Sequence, residues 1–412
     1  MKIAVFHILP SGGAKRALCQ FVKELSKRHE IDEFTTEPLI DYLPLKNFVK
    51  NSYVYPLKQP VWPKFRPYIL DCFLYWIKQL VLIQSLEKTT NHIADDINHS
   101  GYDIAYVDLS RYTHAPIILK KIKIPKLYFC HDPRRDILEG ANLESDQPKS
   151  DNPVKKFYLS WCQFFRSLVR IHKNRIDKQN VNSVDYIVTN SCYTREYIHK
   201  VYHKFAHVNY LGVDTKIFKK IPSQKKNFVL SVGRIYKVKG HHYTVQALTK
   251  IPEDIRPTFK IVSDCSNEKE ISFISDLTKQ NNVNLEILQM VGDAKLIQLY
   301  NEALMVVYVP VMEPFGFVPL ESMACGTPVI GIREAGVRES VVHEYTGLLV
   351  DRDVDELAQA IMRMAQDTSL REKLSRQGME YVYEKWIWER AAENLEKHMY
   401  KCIKQYQEGT QE

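Results

Sequence analysis

The sequence predicts an α/β chain made of two doubly wound parallel-sheet domains. Three observations predict it. The chain is 412 residues long, more than one hydrophobic core usually takes. Each half opens on an apolar strand, a glycine-bearing loop and a helix: Lys2 to Leu9 before Gly12-Gly13, and Phe228 to Val232 before Gly233-Arg234. Short apolar runs then alternate with helical patterns to the end, which is how parallel sheets are built.

Composition narrows the class. Hydrophobic residues make up 45% and charged residues 26%, the balance of an ordinary soluble protein. Eight cysteines show no Cys-x-x-Cys pair. Met1 leads straight into an apolar strand, so no targeting peptide is expected, and the cysteines are read as reduced cytosolic thiols. The expected location is the cytoplasm, on the cytoplasmic face of a membrane if on one. The net charge of +8 is uneven: residues 1–225 hold 35 Lys/Arg against 22 Asp/Glu, residues 226–412 hold 22 against 27. A basic half suits an anionic partner such as a phospholipid surface, a lipid phosphate or nucleic acid; solvated lysines are the plain alternative.

In the first half, Lys2 to Leu9 reads as a buried strand and Ala14 to Arg28 as an amphipathic helix. The loop between them, Pro10-Ser11-Gly12-Gly13-Ala14, lacks the Gly-x-Gly-x-x-Gly spacing, which disfavours a nicotinamide cofactor. It is either a ligand loop or a tight turn. Aromatic residues and prolines crowd 53–63, and an apolar run follows from Tyr68 to Leu86. Asp71, Lys78 and Gln79 within that run oppose a membrane span. It is either a long helix on the sheet or an interfacial helix. Strands are expected at Asp103 to Leu109, Lys126 to Cys130 and Asp185 to Thr189. His131 follows the second of these, where ligands meet parallel sheets; a histidine satisfied in its loop is the other reading. Arg134 and Arg135 are weak candidates for an acceptor phosphate. Residues 140–153 read as a mobile loop. Lys155 to Lys178 reads as a basic helix carrying Phe157, Trp161, Phe164, Phe165 and Leu168, for packing or for a membrane surface.

The second half is organised around Glu313-Pro314-Phe315-Gly316-Phe317-Val318-Pro319-Leu320-Glu321. An apolar strand, Met305 to Val311, precedes it; a short helix to Ala324 follows, stopped by Gly326 and Pro328. Two acids thus flank a glycine loop that opens a helix. Backbone N–H groups there suit phosphate, and ionised carboxylates accept from hydroxyls. Together they describe a sugar-nucleotide site. Arg234 at a strand end and Lys239 before a helix form a possible diphosphate clamp. Asp351-Arg352-Asp353 sits at a helix start, where acids cap and complement the dipole rather than hold a metal.

Glu313 through Glu321 resembles the Glu-x7-Glu signature of the retaining family 4 glycosyltransferases, which have the GT-B fold. Lys239-Gly240, Asn190-Ser191, Leu211-Gly212-Val213-Asp214 and Glu334-Ala335-Gly336 extend the likeness. The resemblance implies two Rossmann-like domains facing a cleft: 1–215 on the acceptor side, a linker at 216–226, a nucleotide-sugar domain at 227–385, and a helix at 386–405 returning to the first domain. It implies a nucleoside-diphosphate-sugar donor, a glycan or lipid-linked acceptor, retention, and no metal or other cofactor. Arg234 and Lys239 would meet the diphosphate. Phe315, Gly316, Phe317 and Val318 would hold phosphate or sugar by their backbone. Glu313 would accept from sugar hydroxyls and Glu321 from the ribose. His131 would face the transferred sugar, and Gly12 and Gly13 would line the acceptor and phosphate loop. The turn Ser263-Asp264-Cys265-Ser266 departs from the family's glycine-bearing turn.

Three other readings stand beside this one. They are an epimerase or phosphorylase of the same architecture, a non-enzymatic membrane-associated binding protein, and nucleic-acid binding by the basic half. No nucleic-acid motif supports the last.

Overall fold

The computed structural model describes residues 1–36, 45–58, 68–134, 152–264 and 268–409. Pro60 to Pro63, Arg135, most of the 140–153 loop, Cys265 and Ser266 lie outside the described residues. The chain divides into two compact units: residues 1–190, 194–209 and 392–412, and residues 191–193 and 210–391. Each is α/β with a wholly parallel sheet, as the sequence predicts.

The first unit holds β1 (Lys2–Ile8), β2 (Glu30–Thr35), β3 (Asn51–Val54), β4 (Ile104–Ser110), β5 (Lys126–Cys130), β6 (Tyr186–Thr189) and β7 (His207–Val208). Their order across the sheet is β3-β2-β1-β4-β5-β6-β7. The order reverses direction at β1, so the loops after β1 and β4 flank the switch point where such sheets bind ligands. Helix α1 (Gly13–Leu25) follows β1 and turns Ala17, Leu18, Phe21 and Val22 inward, the i, i+1, i+4, i+5 stripe of an amphipathic helix. Two long helices, α2 (Tyr68–His99) and α3 (Pro153–Asn182), pack together. Asn152 caps α3, its side chain accepting from Val154 N and Lys155 N. Helix α4 (Cys192–Tyr202) follows β6.

Strand β2 carries too many acids to read as buried, yet Asp32 and Glu33 lie in the interior. Distant residues satisfy them. Glu33 Oε1 meets His7 Nε2 at 2.8 Å and Glu33 Oε2 accepts from Ser52 Oγ at 2.7 Å. Asp32 accepts from the Tyr102 hydroxyl at 2.7 Å. A buried carboxylate is tolerated when such partners are supplied.

Two expectations about the helices resolve here. The Tyr68 to Leu86 run is the front of α2, and Ile83, Leu86, Ile93 and Ile97 on that helix join the core under the sheet. The reduced-thiol expectation is corrected for one pair: Cys72 on α2 and Cys162 on α3 form a disulfide across a sequence separation of 90. Helix packing brings their Cα atoms to 5.1 Å, a proximity that local spacing does not carry. Among the described residues Cys19, Cys130, Cys192, Cys325 and Cys402 form no disulfide.

The second unit holds β8 (Lys226–Val232), β9 (Thr258–Ser263), β10 (Leu285–Gln289), β11 (Ala303–Tyr308), β12 (Val329–Ile332) and β13 (Gly347–Val350), in the order β10-β9-β8-β11-β12-β13. Helices α5 (His241–Thr249), α6 (Glu268–Gln280), α7 (Asp293–Glu302), α8 (Val318–Ala324), α9 (Val337–Ser340), α10 (Val354–Gln366) and α11 (Thr368–Lys385) form the crossovers and close the unit. Helix α12 runs Trp388–Gly409. Strands β11 and β12 are buried along their whole length, the run of apolar residues expected where helices cover both faces. The central pair β8–β11 again marks a switch point.

Candidate active site

The sequence-predicted donor residues gather at the C-terminal edge of the second sheet. Gly233 and Arg234 follow β8, and Lys239 ends a short 3-10 turn over Lys237–Lys239. Gly240 then takes a left-handed φ of 78°. A Cβ there would sit 2.2 Å from the Val309 carbonyl oxygen, so only glycine lets this turn lie against the end of β11. His241 supports the loop from beneath: Nδ1 lies 3.1 Å from Ser231 Oγ and Nε2 3.2 Å from the Arg234 carbonyl oxygen. Burial pushes its pKa down to about 4, keeping the imidazole neutral.

Lys239 Nζ donates to Glu313 Oε2 at 2.7 Å, both side chains half-buried. A predicted phosphate cation and a predicted sugar acceptor are therefore one charge-assisted pair. Arg234 Nε lies 3.5 Å from Asp264 Oδ1, with the arginine half-buried and the aspartate largely exposed.

The Glu313 loop is set by two more glycines. Gly316 has φ 87°, and a Cβ on it would come within 2.7 Å of the Tyr308 ring. Gly336 donates its N–H to the Glu313 carbonyl at 2.9 Å, and a Cβ there would lie 2.0 Å from the Pro314 carbonyl oxygen. Phe315 is buried, its ring 5.8 Å from Trp386 and 5.7 Å from Phe317. Phe317 stacks obliquely near Trp388 at 6.0 Å. The aromatic side chains anchor the loop inward. Val318 begins α8.

Glu321, in the first turn of α8, is only 2% exposed and accepts from the Tyr300 hydroxyl at 2.8 Å. Sequence reasoning places both acids but misses the tyrosines around them. Tyr308, at the end of β11, is buried, and its hydroxyl is pushed well above the usual tyrosine range by burial, then by Glu313 and Glu321. One aromatic residue thus feels both carboxylates. Its apolar strand setting hides that role in the sequence.

Asp351 and Asp353 have structural partners. Asp353 caps α10, accepting from Asp355 N and Glu356 N at 2.9 Å each. Asp351 Oδ1 lies 3.2 Å from Arg333 Nε. Arg352 instead holds Glu334 by two 2.7 Å hydrogen bonds and donates to the Pro310 carbonyl.

In the first unit Gly12 precedes α1 with φ 149°, and a Cβ built on it meets nothing within 4 Å. The space fits either a ligand loop or a plain turn. Gly13 is the first residue of α1. His131 follows β5, is 6% exposed, and sets Nε2 3.3 Å from Asp108 Oδ2 on β4. Its ring packs 4.5 Å from Phe129, and its carbonyl accepts from Asn190 Nδ2 at 3.0 Å. Asp108 is fully buried and was not singled out by the sequence, where it reads as one polar residue in an apolar strand. Such a carboxylate orients an imidazole. Arg134 is the last described residue before 152.

Residues 213–381 match the family model described as Glycosyl transferases group 1. The likeness to that family covers this stretch of the second unit. An uncharacterized glycosyltransferase of Methanocaldococcus jannaschii is 35% identical over 170 residues, 40% of this chain and 43% of that one. The alpha-1,3/1,6-mannosyltransferase ALG2 of Homo sapiens is 24% identical over 266 residues, 58% of this chain and 64% of that one. The chain thus spans less than two thirds of either relative. HepE of Anabaena, solved in complex with UDP-glucose, superposes with a TM-score of 0.70 at 18% identity, covering 97% of this chain and 100% of that one. This likeness shows the fold, two parallel-sheet α/β units of the GT-B class.

Proposed function

We propose that the chain is a retaining, metal-independent glycosyltransferase. It moves a sugar from a nucleoside-diphosphate sugar to a glycan or lipid-linked acceptor, in cell-surface polysaccharide or glycolipid synthesis. The observation that carries this reading is the Lys239–Glu313 pair, with Arg234 in the same loop after β8 as Lys239, inside the domain that matches the family. HepE, of the same fold, is solved with UDP-glucose, which supports a donor of that class.

The roles follow from the chemistry. Arg234 and Lys239 neutralise the leaving diphosphate, the task a divalent metal performs in other transferases. When the diphosphate takes Lys239, Glu313 is released to accept from sugar hydroxyls. Backbone N–H groups of Phe315, Gly316, Phe317 and Val318 hold phosphate or sugar. Glu321, held by Tyr300, accepts from the ribose. The anomeric carbon–oxygen bond breaks and the diphosphate leaves with the electron pair. The acceptor oxygen bonds on the same face, and its proton passes to the leaving phosphate oxygen. His131, oriented by Asp108, stabilises the sugar as positive charge develops. Gly12 and Gly13 give the acceptor-side loop its close approach.

The lipid-linked acceptor and a peripheral contact with anionic membrane draw on α3. Phe157, Trp161, Phe164 and Ile171 are exposed there, among Lys155, Lys156, Arg166 and Arg170. Aromatic side chains with flanking cations suit a headgroup layer. No described helix is long and apolar enough to cross a membrane.

Calorimetric titration of UDP, GDP and ADP, with and without their sugars, tests the donor site. Binding of one nucleotide, weakened at least tenfold in Glu321→Ala, is the expected result. No binding of any by the folded protein overturns it. Product analysis should show the donor's anomeric configuration retained, and transfer unchanged by EDTA.

A further inference from the structure

A cavity with a cationic rim lies at the opposite edge of the second sheet from Arg234, Lys239 and Glu313. Its volume is about 650 Å³, within the range of small-molecule sites. Lys225 stands just before β8, Leu304 is the second residue of β11, and Pro328 stands just before β12. These three strands are adjacent, so the cavity sits under the N-terminal ends of the central strands. Arg234, Lys239 and Glu313 follow the C-terminal ends. Helix α8 runs from one edge to the other, its last residue, Ala324, preceding Cys325 and Gly326 on the cavity wall.

The cavity collects positive charge. Lys220, Lys225 and Arg371 line it. The Lys220 stem passes over Gly326: a Cβ on that glycine would lie 3.3 Å from Lys220 Cδ and 3.4 Å from Ser375 Oγ. Lys225 Nζ donates to Thr327 Oγ1 at 2.6 Å. Arg371 is engaged in donating to the Met364 and Ala365 carbonyls at the end of α10, and contributes its charge. Neither Lys220 nor Lys225 has a carboxylate within 4.0 Å among the described residues. Desolvation of its ammonium, then the charges of Lys220 and Arg371, push the Lys225 pKa down to about 8. Although much of the Lys225 residue is exposed, this end of it is crowded by like charge. The three cations outweigh Glu372, the carboxylate on the same wall, and an anion relieves the remaining repulsion.

We propose that this cavity binds a small phosphorylated metabolite the size of a sugar phosphate, at a site distinct from the donor site. Lys220 and Lys225 take the phosphate. The Thr368 and Ser375 hydroxyls and the Glu372 carboxylate, all on the wall, supply the partners a sugar's hydroxyls need. The cavity is larger than a bare phosphate requires, which is why the ligand carries a polyol body.

The test uses the full chain with Arg234→Met and Lys239→Met, which silences the donor clamp. Glucose 6-phosphate and inorganic phosphate are titrated calorimetrically at low ionic strength. The expected result is one glucose 6-phosphate per chain, bound more tightly than phosphate. Affinity should fall at least tenfold with Lys225→Met, and also with Lys220→Glu, a surface change that leaves the fold intact. Lys225→Arg should restore it. Affinity should also fall between pH 7 and pH 9 as Lys225 loses its proton. No binding to the donor-silenced protein, or binding indifferent to both lysine changes, overturns the proposal. Nucleotide binding by the otherwise native chain is read separately, so failure here leaves the donor site standing.

Discussion

The Tyr300 hydroxyl donates to Glu321 Oε2 at 2.8 Å inside the second unit, where both residues are almost wholly buried. The tyrosine comes from the end of α7 and the glutamate from the first turn of α8. The bond fixes the rotamer of a carboxylate that has little solvent around it. Tyr300→Phe should therefore destabilise the protein by roughly 1–3 kcal/mol, the cost of removing a donor from a buried acceptor. Nucleotide affinity should fall with it. Urea unfolding and calorimetry check the two effects; unchanged values in both would detach Tyr300 from the site.

Variants of the Lys239–Glu313 pair test the proposed split between binding and turnover. Lys239→Met removes a charge-assisted donor, worth roughly 1.5–3 kcal/mol, so donor affinity should drop about 10- to 100-fold. Glu313→Gln keeps shape but loses charge. It should lower kcat more than it raises the donor Kd. The reverse pattern would reassign Glu313 to ground-state binding.

Gly240 and Gly316 permit the two loops. Alanine at either meets the Val309 carbonyl or the Tyr308 ring and must hold a left-handed φ. Each substitution should cost about 1–3 kcal/mol and more than tenfold in activity. Denaturation midpoints and initial rates measure this. Alanine at Gly12, where a Cβ meets nothing within 4 Å, should be milder.

His241 makes stability depend on pH. Its folded pKa, pushed down to about 4 by burial, lies below the ordinary value of 6.5. Between these values the unfolded chain binds the proton and the folded chain does not. Stability should thus be fully present above about pH 6.5 and fall as pH drops toward 4, by about 3 kcal/mol from this residue alone. His241→Gln should flatten that limb of the stability–pH curve. An equal slope in the variant would refute the assignment.

The Cys72–Cys162 bond closes a long loop between α2 and α3. Reduction should lower the thermal midpoint, since a disulfide typically contributes 2–4 kcal/mol. Cys72→Ser should match the reduced protein and no longer respond to reductant. Mass analysis under non-reducing conditions locates the bond directly.

Strand and helix periods, with Glu313, Gly316, Glu321, Arg234 and Lys239 at their spacings, were enough to reveal two doubly wound units and the second unit's candidate site. Those signals are local: a period of two or 3.6 residues, a glycine at a turn, a cation at a strand end. The acid-rich β2 escaped that reading because its burial depends on His7, Ser52 and Tyr102, and propensity ignores distant partners. Tertiary structure alone decided that Lys239 pairs with Glu313, that Tyr300 holds Glu321, that Asp108 faces His131, and that Cys72 meets Cys162. Each joins residues that lie on different elements. The chain's local pattern determines the elements; packing determines which side chains meet, because sequence spacing carries no distance once the chain has crossed the sheet.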